Sequence, residues 1–291
     1  MKDFLAQVGK LLRFEFRKLF RRKTLYFAVA ITFFTSLAFV ATMVEELISD
    51  VEDATIILSN ITFGQVLATS FSYLYGISMA TLCFLGAIIV GLVFCEDYST
   101  GTIKLIVGRG YEKTAIYTAK AIIVLFCSII MGVVAPFIGM FIGTAAYGLN
   151  LSFDGFGKAI VDAGSLAANN LFASMAMFFA TIIVFMLIGV LVKKSGAAIA
   201  ICIGATYVLQ IVIVIAEVIM QLNGVEDEVI TKTISTAANT FPMLYTSYVS
   251  SAALLFADTA SGAPVGTYVG AAVWIVLGAA LGLLVAHKRD C

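Results

Sequence analysis

Cys95 to Lys120 reads CEDYSTGTIKLIVGRGYEKTAIYTAK, a polar stretch that follows the apolar run Phe71–Phe94 and leads into the apolar run Thr114–Tyr147. Glu96 and Asp97 come directly after the first run, Thr100 and Gly101 can start a new turn, and Thr102 to Val107 can form a short helix before Gly108 and Gly110 break it. At three- and four-residue spacing Ile103, Ile106 and Val107 share one side of that helix, while Lys104 points elsewhere and Arg109 falls in the glycine break. The apolar side is expected to fit a groove on a soluble partner, which makes the loop a docking surface.

Composition sets the class of protein around this loop. Hydrophobic residues make up 61% of the chain and charged residues 12%, against roughly 45–50% and 25% in soluble domains. Several apolar runs reach the roughly 20 residues a bilayer requires. The fold expected is an all-α integral membrane protein of six transmembrane helices, at about 24–43, 71–94, 114–147, 166–192, 196–222 and 266–287, preceded by a segment 1–23 outside the membrane. Residues 24–291 then form one transmembrane domain.

The charges are sorted by position although they sum to zero. Basic residues crowd the first segment (Lys2 to Lys23), the Cys95–Lys120 loop, Lys193 and Lys194, and the tail at Lys288 and Arg289. Only Lys158 and Lys232 fall on the other side, where Glu45, Glu46, Asp50, Asp154, Asp162, Glu226 and Asp258 gather. By the positive-inside rule both termini and the loop are cytoplasmic.

The loop resembles the membrane subunits of type-2 ABC exporters, the ABC-2 permeases, in which an acidic residue, Gly-Thr-Ile-Lys, a glycine-containing turn and Tyr-x-x-x-Lys recur. Here these stand at Glu96, Gly101 to Lys104, Gly108 to Gly110, and Tyr117 to Lys120. The resemblance implies that this loop carries the coupling helix, which receives ATP-driven movement from a separate ATPase. Glu96, Asp97, Gly101, Thr102, Ile103, Lys104, Ile106, Val107 and Arg109 are then the ATPase-coupling residues. It also implies a bacterial cytoplasmic membrane, a second permease copy or related chain, and a peptide cargo such as a bacteriocin, toxin or antibiotic. No nucleic acid is expected among the partners, which are the ATPase, the second permease and the lipid bilayer.

Before the first span, Leu5, Val8, Leu12, Phe16 and Leu19 follow one helical face and Lys10, Arg13, Arg17 and Arg21 another, the pattern of a helix lying in the headgroup layer. The resemblance gives it a second role as an elbow bordering the ATPase. The span after it is too long for a cleaved signal peptide. Phe241–Phe256 is apolar but short and begins with a Pro242 break, so it reads as a re-entrant or external helix rather than a seventh crossing.

Inside the spans small residues outnumber ionisable ones. Gly266, Gly270, Gly278 and Gly282 recur at multiples of four, and Gly139 and Gly143 form a second pair, predicting close helix approach within one subunit or between two. Pro136 is expected to kink the third span. Glu217, near the outer end of the fifth, is either a residue of the translocation path or gate, or an acid reaching the headgroups. Lys120 is expected to snorkel to the interface without a buried partner.

Catalytic signals are missing. One histidine, His287, cannot build an H-E-x-x-H site or a Ser-His pair, and the five cysteines show no C-x-x-C spacing, so neither catalytic nor metal-ligating residues are assigned. The sequence contains no G-x-x-x-x-G-K-S/T pattern, so ATP and magnesium are expected on the partner ATPase and no cofactor on this chain. The function expected is the permease of an ABC exporter moving a hydrophobic or amphipathic substrate out of the cytoplasm or inner leaflet. An ion-coupled secondary transporter is the alternative, although it lacks midplane charges and interrupted half-helices; an intramembrane hydrolase lacks its catalytic residues. A cysteine at Arg109, in a background without native cysteines, is expected to react with an impermeant maleimide only after the cells are opened, while one at Asp154 reacts in intact cells.

Overall fold

The computed structural model describes residues 2–49, 62–67, 79–152, 164–192, 194–222, 240–243 and 265–288. Helix α1 covers Lys2–Leu19 and α2 Lys23–Ser49. Helix α3 runs over Met79–Ser99, α4 over Thr102–Gly108 and α5 over Lys113–Ala146. Three further helices follow, α6 at Gly164–Leu191, α7 at Ser195–Leu222 and α8 at Val265–Lys288. The chain is an all-α membrane protein: among the described residues the only β feature is an isolated bridge between Thr62 and Asn150.

Five of these helices contain stretches long and apolar enough to cross a bilayer, in α2, α3, α5, α6 and α8. The remaining expected span coincides with α7, whose apolar stretch is described over Ser195–Leu209. Helix α3 continues past the expected end at Phe94 to Ser99. Its last turn stays closed because Thr100 N donates to Glu96 O at 2.9 Å. Gly101 then adopts φ +70, a left-handed conformation that glycine enters without a Cβ penalty, and the chain turns directly into α4. Gly110, at φ +87, turns it again toward α5.

The long helix α5 is not α-helical throughout. Pro136 has no N–H for the carbonyl one turn back, and immediately before it the ladder widens into a π turn at Ile130–Val134. The kink expected at this proline therefore takes the form of a π turn. A second π turn, which no proline announces, interrupts α3 at Gly91–Cys95.

Helix α6 packs along α8, α2 along the second half of α5, α1 along the first half of α5, and α3 against both α6 and α7. The main core lies between these helices and includes Leu82, Phe94, Ile123, Met131, Phe178 and Phe185. A second cluster, at the end of the bundle away from α4, gathers Val40, Val44, Phe63, Met140 and Leu149. There Phe63 meets Phe137 and Phe141 edge-on, with ring centroids 5.6 and 5.4 Å apart.

The expected glycine seams resolve into contacts within one chain. A Cβ at Gly139 would strike the Ser36 hydroxyl and stand 2.7 Å from the Phe33 carbonyl oxygen, and one at Gly143 would press on Val40 at 3.1 Å. On α8 a Cβ at Gly278 would meet Ile183 Cγ2 at 2.7 Å, and one at Gly282 would collide with the Tyr117 phenol. Gly270 is buried, whereas among the described residues nothing lies within 4 Å of a Cβ at Gly266. Of Phe241–Phe256 only 241–243 are described; the Phe241 ring lies tilted against Trp274 with centroids 5.5 Å apart, and Trp274 Nε1 donates to Thr240 O at 2.9 Å. The remainder of that segment and the Glu217 side chain lie outside the described residues. Gly139→Val is expected to cost about 1–3 kcal/mol through overpacking against α2, read as a lower melting temperature in detergent, while Gly266→Ala leaves it unchanged.

Candidate functional site

Helix α4 sits at one end of the bundle, beside the first half of α1, where α3 finishes and α5 begins. Ile103 and Ile106 are buried, and Ile106 belongs to a small cluster with Val8 and Leu11 of α1 and Ala115, Ile116 and Ala119 of α5, against which Val107 also packs. This corrects the orientation expected from the sequence. The apolar side of α4 is covered by the chain itself, so Ile103, Ile106 and Val107 hold the helix in place. The exposed side carries Lys104, Leu105 and Arg109, and Leu105, 68% exposed, had not been singled out. Gly101 and Thr102 supply the turn into α4.

Asp97 is likewise not at the surface. It is 1% exposed, and its two carboxylate oxygens bind Lys18 of α1 and Lys120 of α5 respectively. Lys120 is equally buried, and Glu15, itself 5% exposed, stands 3.3 Å from its ammonium. The four side chains thus form a charge-alternating ring, Lys18 to Asp97 to Lys120 to Glu15, returning along one turn of α1. The snorkelling expected of Lys120 does not occur, because α1 and the end of α3 roof it over and supply partners instead.

The π turn of α3 completes the ring's environment. Lys120 Nζ donates to Val93 O at 2.6 Å, and Arg22 Nη1 donates to Leu92 O at 3.1 Å. Both carbonyls lie where the helical ladder changes pitch, and a cationic side chain serves each. Arg22 also pairs with Glu96, which is less buried than Asp97. In the same turn Cys95 Sγ donates to Gly189 O and Val192 O, both at 3.2 Å, fastening α3 to the end of α6. Three cations and three carboxylates are therefore matched at this end of the bundle, as burial demands.

A cavity next to the ring is lined by Phe94, Tyr98, Ile103, Lys113, Tyr117 and Ala286, so α3, α4, α5 and the end of α8 meet there. Tyr117 packs its ring 5.6 Å from Phe94 and against Gly282. Helix α4, the ring behind it and the ends of three spanning helices thus lie side by side. Among the described residues no group of histidine, cysteine and acidic side chains is placed to hold a metal.

A family model described as ABC-2 family transporter protein matches residues 11–212, more than two-thirds of the chain. The chain belongs to the ABC-2 family of transporter proteins. The match begins within α1 and runs into α7, so it takes in α4 and every member of the ring. Among curated proteins none matches the chain. Membership makes this a membrane component of an ABC transporter, non-catalytic by itself, and implies an ABC ATPase partner.

Sequence reasoning found the loop and its helix in this ABC-2 protein but missed Glu15, Lys18 and Lys120 as a set. One signal was available. Glu15 stands four residues from both Leu11 and Leu19, an acid in the middle of a buried stripe, and such a residue needs a cationic partner. Lys120→Met is expected to destabilise the protein by about 3–5 kcal/mol, because it leaves two buried carboxylates sharing Lys18. Lys104→Ala, on the exposed side of α4, should stay within about 0.5 kcal/mol; thermal unfolding in detergent separates the two.

Proposed function

We propose that this chain is the permease subunit of an ATP-driven exporter and that α4 is its coupling helix. The observation carrying this reading is the setting of α4: a helix outside the spans, held inward by Ile103 and Ile106, that turns Leu105 to water between Lys104 and Arg109. An exposed leucine flanked by cations, at a rigid junction of three spans, suits a complementary apolar and acidic groove on the ATPase. ATP and magnesium belong to that partner. Two permease units, identical or related, flank the path, and closure of two ATPases moves α4 and tilts the spans attached to it.

The resemblance to exporter permeases favours a bacterial cytoplasmic membrane, and the sorted charges favour α4 and both termini inside. Export rests on the resemblance of the Glu96–Lys120 motif to exporter permeases. The predominantly apolar spans suit a hydrophobic or amphipathic cargo, and the peptide class of toxins, bacteriocins and antibiotics fits that chemistry. Glu217 is the acid assigned to the path or its gate.

Leu105→Asp is expected to reduce recovery of the ATPase with the purified permease by about tenfold, the scale of one interface anchor of at least 1.4 kcal/mol, with membrane insertion and melting temperature unchanged. Ile103→Asp acts differently, lowering the melting temperature because it places a charge beneath α4. Full ATPase recovery and full transport in Leu105→Asp would overturn the assignment of α4.

A further inference from the structure

We propose that the buried ring Lys18–Asp97–Lys120–Glu15 sets the axial register of α1 on α3 and α5, making these four positioning residues that oblige α1 to move with the spans. The apolar contacts of α1 hold it against the bundle: Val8 and Leu11 rest on Ala115, Ile116 and Ala119, and Phe16 meets Phe126 edge-on with ring centroids 5.0 Å apart. Apolar contacts do not discriminate by sign. The charges add that selection among positions.

Their order along α1 is what carries the inference. Glu15 and Lys18 lie one turn apart, the acid against Lys120 and the base against Asp97. Sliding α1 by that turn in one direction brings Lys18 to Lys120; sliding it in the other brings Glu15 to Asp97. Each slip places like charges together beside the buried Asp97 and Lys120, so a single register survives. Arg22, paired with Glu96 at the same end of α3, lies at the start of the next helix and adds no competing charge to the ring. Well-packed apolar side chains of similar volume would hold two helices together as firmly as a buried ion pair does, but without this selection among positions.

In the exporter reading, α1 and α4 then travel with α3 and α5 as one body. That consequence rests on the proposed ATPase coupling, whereas the register does not. The two are separated by a reporter of α1 seating that needs no ATPase: Val8→Cys, on the buried side of α1, titrated with a maleimide in the purified full chain. Asp97→Lys with Lys120→Asp keeps every charge buried but faces like with like, and should raise the labelling rate at position 8 by about tenfold or more. Adding Glu15→Lys with Lys18→Glu restores the alternation in reversed order and should restore protection.

The register assignment is overturned if position 8 stays protected in the first pair, or stays reactive when the second pair is added to a folded protein. Should the exchanged sets fail to insert, the neutral set Glu15→Gln, Lys18→Met, Asp97→Asn and Lys120→Met decides. Faster labelling with insertion retained supports the lock, and protection equal to the parent overturns it. ATPase stimulation by the same variants tests the consequence: full stimulation with α1 displaced removes the coupling role and leaves the register standing.

Discussion

The solvation of one ammonium group organises the α4 end of the bundle. A lysine enclosed among apolar helices loses water interactions worth several kcal/mol, and only a close carboxylate with further hydrogen-bond acceptors makes up for them. Lys120 obtains these from two helices: Asp97 and the Val93 carbonyl on α3, and Glu15 on α1. The path of α3 beyond its apolar run follows from this requirement. Had the helix ended at Phe94, Asp97 would stand in the loop and the ammonium would lose its nearest partner. The π turn at Gly91–Cys95 belongs to the same solution, since it is the place where backbone carbonyls turn to the cations of Lys120 and Arg22.

Around that ionic centre the remaining packing is a matter of close backbone approach. Gly139 and Gly143 bring α2 against α5, and Gly278 and Gly282 bring α8 against α6 and the Tyr117 ring. Tyr117 therefore joins α8 to the site, three residues from Lys120 on the same helix. Ile103 and Ile106 add α4 to the assembly from outside, filling space beside α1 and the first turns of α5. Because its inner side is occupied in this way, α4 has only Lys104, Leu105, Arg109 and its glycines to offer a partner. Under the proposed coupling role, so small a helix would act on the spans through the packing that the ring and the isoleucines provide together.

Much of the architecture was legible because bilayer helices announce themselves through length and composition. Expected spans coincide with α2, α3, α5, α6, α7 and α8, and the loop helix was placed within a residue of its observed end. The glycine pairs were recognised as seams, but spacing alone left open which helix each would meet. Pro136 marked one π turn through its missing N–H, whereas the turn in α3 carries no such residue and could not be foreseen. The side of α4 was misjudged for a related reason. Periodicity tells which side chains share a face, and an apolar face looks the same whether its partner is another protein or the next helix of its own chain.

The sequence by itself determined the class of protein, the succession of helices, the sorting of charge along the chain and the resemblance of the loop to the ABC-2 family. These depend on local composition and on periods of three to four residues, which are properties of short segments. Only the tertiary structure decided that Lys120 is buried rather than reaching water, that Asp97 and Glu15 share it, and that Leu105 rather than Ile103 faces outward. Each of these depends on bringing together residues from opposite ends of segments dozens of positions apart. The free energy of a charge or an apolar side chain is set by whatever neighbour covers it, and that neighbour is fixed only when the helices pack.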